Sequence, residues 1–400
     1  MDESASLGAP AGAGGRDHLE LLQPNGSLPL GYVAEDEMLL LLASDRSARW
    51  PTEVLRSGSA RLRVEGRELT GPARLITDPA EKQRVISLFR AKYGERQFQR
   101  WYAHPARVLK VEPGVPPAAG DAEERYRHWL EAEFDNVAEE YDHHITGNRI
   151  NRLLRDRSLA ELRRSFAGRH RLIEIGCGSG METLPLLADG HEIVCVDISD
   201  RMLDVVRAKA RAAGLSGALT TVKLPASELS RFAAVGTSGS FDGGYSTYGA
   251  LNCEERPGEI APVLFDLLQP RAPFVAGIYN RWCLFELAGY GVTGQWSRAF
   301  GRYRSPIPVG SSRFCVDIYA YSAREFRDRF APWFQVDRME AVPVLLPPSD
   351  LVGYAERFSG RWDQLARLDH WLARRWPFRA LGDHFLMTFA RAAERPVGGL

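Results

Sequence analysis

The chain has 400 residues, a formal net charge of +0 and a hydrophobic share of 44%. That length points to two or three domains, and that composition to a globular protein with a sizeable core. A neutral balance excludes a broad field for phosphate backbones or anionic membranes, and five scattered cysteines without a C-x-x-C pair suit free thiols in a reducing compartment.

Residues 1–16 are rich in Gly, Ala and Ser, and disorder is expected there. They lack a basic start and an apolar h-region, so no signal peptide is expected. The strongest apolar run, Met38–Ala43, is far too short to span a bilayer. The expectation is a soluble, cytoplasmic protein with no membrane partner.

Residues 17–111 read as a small β-rich module. Met38–Ala43 is apolar throughout, as a buried strand is. Ala60–Val64 alternates, and Glu68–Ile76 continues the pattern. Asp78 with Pro79 starts a helix carrying Val85, Ile86, Leu88 and Phe89. Residues 112–120 (EPGVPPAAG) have linker composition.

From 121 onward the pattern alternates between helix and strand. A helix is expected over Glu123–Tyr141. Five strands follow at Leu172–Ile175, Ile193–Val196, Leu219–Leu224, Phe241–Ser246 and Pro273–Tyr279. Helices fit between them at Met181–Ala188, Asp200–Ala213, Glu228–Ala234 and Glu259–Leu268. This alternation predicts a parallel sheet covered on both faces. Beyond it the chain reads as irregular to about 313. Then come a strand at Phe314–Tyr321, a helix capped by Ser322, strand six at Phe334–Val342 and strand seven at Asp383–Arg391. A helical insert at Asp350–Arg375 carries Trp362, Leu365, Leu368, Trp371 and Leu372. The Arg cluster of 367–379 reads as a solvated face.

The most informative run is Leu172-Ile173-Glu174-Ile175-Gly176-Cys177-Gly178-Ser179-Gly180. An apolar strand carries an acid, then turns through three alternating glycines into a helix. Glycines permit a tight turn and close approach of a ligand. The first strand-to-helix turn of a doubly wound sheet is where nucleotide-like ligands bind. Asp197 ends the next strand and can accept hydrogen bonds from both ribose hydroxyls. A dinucleotide G-x-G-x-x-G needs a glycine at 181 or 183, and Met181 and Thr183 stand there.

Residues 121–400 resemble class I S-adenosylmethionine-dependent methyltransferases. The stretches FDNVAEEYD, LIEIGCGSG, IVCVDISDRML and FDGGYSTYGALN carry the likeness, in the family's order. The resemblance implies an α/β, Rossmann-like, seven-stranded core that binds S-adenosylmethionine. It places Gly176, Gly178 and Gly180 at the methionine part, and counts Glu174 and Cys177 of the same run among the cofactor-binding residues. Asp197 would hold the ribose, and Ile198 and Met202 would sandwich the adenine. Ala226, Ser227 and Glu228 would lie near the adenine edge. Tyr245 and Ser246 would face the sulfonium, and Tyr141 would close over the methionine tail. The long connections at about 280–320 and 343–380 leave the cofactor edge and are expected to form a cap over the substrate.

Residues 17–111 resemble the split β-barrel of flavin- and deazaflavin-dependent nitroreductases, through LLLLASDRSARWPTEVLRSG, VEGRELTGPARLITDPAE and LFRAKYG. The family's basic G-R-K-S-G-like turn is missing, with LLQPNGSLPLGYV in its place. The module is therefore expected to serve in a homodimer contact or in substrate capture.

Methyl transfer is an in-line displacement, and a general base is needed only where the nucleophile must lose a proton. The run after strand four is not the Asn/Asp-Pro-Pro-Tyr type, and no Pro-Cys pair offers a thiol, so nucleic acid is not the expected substrate. A small-molecule metabolite is. His143, Tyr248 and Asn252 are the candidates for catalysis, with His144, Tyr279, Asn280 and Glu286 as further substrate contacts. Cys177 suits a small filler as well as a ligand contact, and Asp242 a structural role. No metal is expected. Two other readings stay open: a non-catalytic S-adenosylmethionine sensor or interaction protein, and a flavin or deazaflavin oxidoreductase acting through the N-terminal barrel.

Overall fold

A computed structural model describes residues 18–24, 26–43, 50–102, 107–116, 122–233, 239–307, 316–351, 353 and 359–396. The expectations for residues 1–16, for 117–120 of the linker and for Phe314 and Cys315 lie outside the described residues.

Six antiparallel strands close into a barrel: β1 (His18–Gln23), β2 (Gly26–Glu35), β3 (Met38–Ala43), β4 (Ser59–Val64), β5 (Arg67–Leu75) and β6 (Arg107–Val111), in the order β1-β2-β3-β6-β5-β4. Leu19, Leu21, Leu39, Leu41, Leu62 and Leu109 fill its interior, with Trp50, Val54 and Leu55 of α1 (Trp50–Ser57). Outside β3, Leu40 and Leu42 lie under Val85 and Phe89 of α2 (Pro79–Tyr93) and Phe98 of α3 (Glu95–Trp101). Both faces of β3 are thus covered, which is why Met38–Ala43 shows no alternation. Asp78 caps α2, its Oδ1 accepting from the Glu81 N–H at 2.8 Å.

The helix expected over Glu123–Tyr141 is shorter. It is α4 (Ala122–Val137), and a separate short helix, α5 (Tyr141–Thr146), follows. Trp129 of α4 is buried in the barrel core, and Glu133 meets Arg107 of β6 in a buried bidentate pair at 2.5 and 3.1 Å. By its contacts the chain divides into Met1–Asn136 with Val309–Val316, and Val137–Pro308 with Asp317–Leu400. The division differs from the expected start at 121, because α4 completes the barrel's packing.

The second unit is built on α6 (Arg149–Ser165), β7 (Arg171–Ile175), α7 (Thr183–Ala188), β8 (Glu192–Asp197), α8 (Asp200–Ala212), β9 (Leu219–Lys223), α9 (Leu229–Ala233), β10 (Gly243–Ser246), α10 (Ile260–Leu267) and β11 (Pro273–Tyr279). After these come α11 (Leu284–Val292), α12 (Trp296–Ala299), α13 (Ala323–Phe330), β12 (Phe334–Val342), α14 (Trp362–Ala373) and β13 (His384–Arg391). The sheet has the expected seven strands, in the order β12-β13-β11-β10-β7-β8-β9. β7 to β11 run parallel, and β13 is antiparallel to both its neighbours. Strand order reverses between β7 and β10, so a crevice at their carboxyl ends is the place for a ligand.

One face packs Leu162, Leu186 and Val206 of α6, α7 and α8 against Leu172, Cys195 and Tyr245. The other packs α10 and α13 against Ile173, Val196 and Phe274, with Phe330 stacked on Phe274 and on Phe389. Two expectations fail here. The chain after β11 is not irregular, since α11 and α12 form there. Nor is 314–321 a strand: of its described part only Ile318 and Tyr321 make single bridges, and Tyr319 is pinned by Asn252 instead of a ladder. No helix of the described residues is long and apolar enough to cross a membrane.

Candidate functional site

The turn after β7 takes the left-handed conformation three times, with φ of 72° at Gly176, 51° at Gly178 and 76° at Gly180. A Cβ on Gly176 would lie 2.4 Å from the Ala250 Cβ, and one on Gly180 3.0 Å from Leu184 and Val206. These outer glycines let the turn pack. The middle one is different, because a Cβ on Gly178 would meet only the Tyr141 ring, at 3.8 Å. Asp197, at the end of β8, holds the turn: Oδ2 accepts from the Gly178 N–H at 2.8 Å and Oδ1 from the Ser199 N–H at 2.9 Å. Ser199 then caps α8, accepting from the Met202 N–H at 3.1 Å. Ile198 is half-buried and Met202 buried beside this corner. Across β9, Ala226 is half-buried and Ser227 exposed in a short 3-10 turn.

Beneath the turn lies a buried polar knot. Glu174 Oε2 accepts from Thr183 Oγ1 at 2.5 Å, from the Tyr245 hydroxyl at 2.9 Å and from Cys195 Sγ at 3.5 Å. Burial pushes the Glu174 carboxyl up to about 7. The cause is register: Glu174 stands opposite Tyr245 on β10 and Cys195 on β8, so all three point to the same face. Tyr245, expected at the sulfonium, is fully buried in this knot. Burial likewise leaves Cys177 in the core, with its thiol pushed well up by Cys195 and desolvation. Ser246 sits one residue on, its Oγ buried without a partner among the described residues.

Above the turn, α5 is clamped. Ser179 Oγ donates to Asp142 Oδ1 at 2.5 Å, and Lys209 of α8 donates to Asp142 Oδ2 and to the Ser179 carbonyl, the latter at 2.8 Å. Tyr141 therefore lies against Gly178, where burial raises its phenol pKa. Next to it Arg155 of α6 donates to Glu182 Oε2. Arg155 Nε and Glu182 Oε1 are both buried, and neither has a hydrogen-bond partner among the described residues. The Arg155 guanidinium also lies 3.6 Å above the Tyr248 ring.

The candidates for catalysis fare differently. His143 is solvent-exposed on α5. The Tyr248 hydroxyl donates to the Asn151 carbonyl at 2.6 Å, and burial raises its pKa. Asn252 is fully spent as a staple. Its Nδ2 donates to the Tyr279 and Tyr319 carbonyls at 3.1 and 2.7 Å, and its Oδ1 accepts from the Tyr279 N–H at 2.8 Å. Asn280 does the same for Ala380 and Gly382. Asp242 accepts from the His170 and Arg171 N–H groups, both at 2.9 Å, in a structural role. The side chain of His144 lies outside the described residues.

At the far end of this edge, Arg302 is buried between two carboxylates. It reaches Glu286 at 2.5 and 2.8 Å and Asp383 at 2.6 Å, and lies 4.0 Å over the Tyr279 ring. Ligand atoms of Cys283, Glu286 and Asp383 fall within 4.8 Å of one another, with this guanidinium supplying the positive charge. His384 adjoins Asp383, Nδ1 to Oδ2 at 3.1 Å. Burial opposes the Asp383 charge, but His384 and Arg302 outweigh it and hold the carboxyl at about 2.

Sequence reading missed Arg155, Glu182, Arg302 and His384. For Arg155 a signal existed: Asn148 caps α6 by accepting from the Ile150 and Asn151 N–H groups, followed by Ile150 and Leu154. For His384, which lies within the expected strand seven, only strand pairing shows that it stands beside Tyr279.

A seven-stranded sheet with strand seven antiparallel, a triple-glycine turn after its first strand and an acid ending the second define a class I methyltransferase-type domain. Residues 172–270 match the family model described as "Methyltransferase domain", and S-adenosylmethionine is the cofactor of that domain. No curated protein matches the chain. Among solved structures, the chain is similar to 1,6-didemethyltoxoflavin-N1-methyltransferase of Burkholderia thailandensis with bound S-adenosylhomocysteine, at 17% identity over 71% of this chain and 95% of that one, TM-score 0.41. It is also similar to the [4+2]-cyclase SpnF, at 17% identity over 60% and 81%, TM-score 0.41. Geranyl diphosphate C-methyltransferase of Streptomyces coelicolor matches at 12% identity over 59% and 77%, TM-score 0.38.

Proposed function

We propose that this chain transfers a methyl group from S-adenosylmethionine to a small-molecule metabolite by in-line displacement. The observation that carries the reading is the pair of orphaned buried atoms beside the glycine turn. Arg155 Nε is a donor and Glu182 Oε1 an acceptor. A buried polar atom left unpaired costs about 1–3 kcal/mol. An amino-acid tail, with its carboxylate and ammonium, offers one partner of each kind. A pyrophosphate offers only acceptors.

In this reading Asp197 takes the ribose hydroxyls, Ile198 and Met202 flank the adenine, and Ala226 and Ser227 lie at its edge. The Gly176–Gly180 backbone and Tyr141 line the methionine portion, whose ends Arg155 and Glu182 hold. Glu174, Cys177 and Tyr245 support the turn from below. The bound cofactor supplies a methyl carbon already activated by a sulfonium. The protein's own task is orientation, worth roughly 7–11 kcal/mol of such a barrier. Tyr248, Tyr279 and the segments after β11 and β12 supply the aromatic walls for the acceptor.

Calorimetry with S-adenosylmethionine, S-adenosylhomocysteine, NAD and FMN tests this directly. One site for each adenosyl compound and none for NAD is expected. Tight NAD binding without S-adenosylhomocysteine binding would overturn the proposal. Incubation with a metabolite extract should then add the mass of one methyl group to a compound. Binding without any turnover would favour a sensor instead.

A further inference from the structure

The geometry points to a base that none of the sequence candidates supplies. β13 is antiparallel, so its first residue, His384, stands level with Tyr279 at the carboxyl end of β11. Its ring lies edge-on to Tyr279 with centroids 5.2 Å apart, and 6.4 Å from that of Tyr248. Tyr248 lies under Arg155, which pairs with Glu182 of the glycine turn. The imidazole is thus two side chains away from the cofactor side of the crevice, on the acceptor side.

Its tautomer follows from its neighbour. Asp383 accepts from Arg302 at Oδ1, 2.6 Å, and faces His384 Nδ1 with Oδ2, 3.1 Å. Arg302 is itself held by Glu286. A carboxylate anchored by a guanidinium is an acceptor only, so Nδ1 carries the ring proton. Nε2 then keeps its lone pair, and makes no hydrogen bond among the described residues. Among the described residues, the charged and titratable groups around the ring are Asp383 just before β13, Arg302, Glu286, Tyr279, Tyr248 and, through Tyr248, Arg155.

We infer that His384 is the catalytic general base, that Asp383 is its positioning residue, and that the acceptor is a flat phenolic or enolic hydroxyl. This rests on the methyltransferase reading above. Neutral amines attack first and shed the proton afterwards, and thiols and carboxylates ionise unaided, so a buried base suits a hydroxyl. Phenols and enols fall within reach of imidazole, whereas aliphatic alcohols do not. In the step, the acceptor oxygen bonds to the methyl carbon as the S–CH3 bond breaks, with that electron pair remaining on sulfur. The hydroxyl proton passes to Nε2, and the imidazolium formed is stabilised by Asp383.

The test uses the full chain, His384→Gln, His384→Asn and Asp383→Asn. Turnover is read as S-adenosylhomocysteine released with a panel of 1-naphthol, catechol, 4-nitrophenol and 1-hydroxyanthraquinone. The expected result is turnover of at least one member, a kcat lower by ~10²–10⁴-fold in both His384 variants, and loss of the acid limb of the pH profile. S-adenosylhomocysteine affinity, read by calorimetry, should stay within about twofold, a change of less than about 0.4 kcal/mol. Nitrogen NMR of the wild-type imidazole should show the Nδ1–H tautomer, reverting toward Nε2–H in Asp383→Asn. An Nε2–H ring in the wild type, or full turnover by a folded His384→Gln, sinks the base assignment. A wild type that binds the nucleoside but methylates none of the panel sinks the acceptor class. A wild type that binds no S-adenosylhomocysteine sinks the methyltransferase reading instead.

Discussion

Glu174 illustrates how position alters a side chain's chemistry. In the sequence it is an acid beside a glycine turn; in the fold it is a buried carboxyl with three side-chain donors. Its pKa is raised from 4.5 to about 7, so the folded chain holds this proton more tightly than the unfolded chain does. The resulting stabilisation is complete below about 4.5 and is lost as pH rises through about 7. The difference amounts to about 3 kcal/mol. Glu174→Gln should therefore gain on the wild type in thermal melts between pH 5 and 7.5, with no further gain above; a pH-independent difference would refute the shift. The glycines separate in the same way. Gly176→Ala adds a Cβ in a left-handed turn, 2.4 Å from Ala250, and should lower stability by about 1–3 kcal/mol. Gly178→Ala has ordinary contact with Tyr141, so it should lose stability less and S-adenosylhomocysteine affinity more. Equal effects of the two on melting would contradict this. Asp197→Ala removes a charged acceptor from two backbone N–H groups and from the proposed ribose contact. At about 1.5–3 kcal/mol per bond, both the melting temperature and the nucleoside affinity should fall. An unchanged dissociation constant would take Asp197 out of the site.

Strands were read from the chain more accurately than helices. β11 and β12 have the expected bounds: β11 is an apolar run that ends before Asn280, and β12, although mixed in polarity, stops at Pro343. Strand ladders, however, do not announce which side chains meet. Tyr245 looked free to face a ligand until pairing with β7 set it opposite Glu174. α6 escaped because six of its 17 residues are Arg and its apolar stripe is thin; packing on the sheet, not propensity, stabilises it. α4 packs on the barrel, and nothing local in the sequence shows that its Glu133 will find Arg107. That pair is fully buried, so breaking it strands a charge. Glu133→Ala should cost about 3–5 kcal/mol in urea unfolding, while Arg107→Met with Glu133→Leu should come close to neutral. A single variant as stable as the wild type would show the pair to be solvated.

At the level of the whole chain, the functional proposal is confined to the unit that begins at Val137. Hydrogen exchange with S-adenosylhomocysteine present should slow at 174–182 and 197–203 and leave β1–β6 unchanged. Slowing in the barrel strands would mean that the barrel takes part in nucleoside binding. The turn and its acid, the seven strands and the closing of the first domain as β structure were all legible in the amino-acid order, because glycine conformation, strand period and helix caps act over a few neighbours. Which polar groups face the crevice and which are consumed below it depended on partners far along the chain. Asn252 is bound to 279 and 319, Arg155 to 182, and Asp383 to 302. Buried hydrogen-bonding groups must be paired, and only the assembled sheet decides with whom.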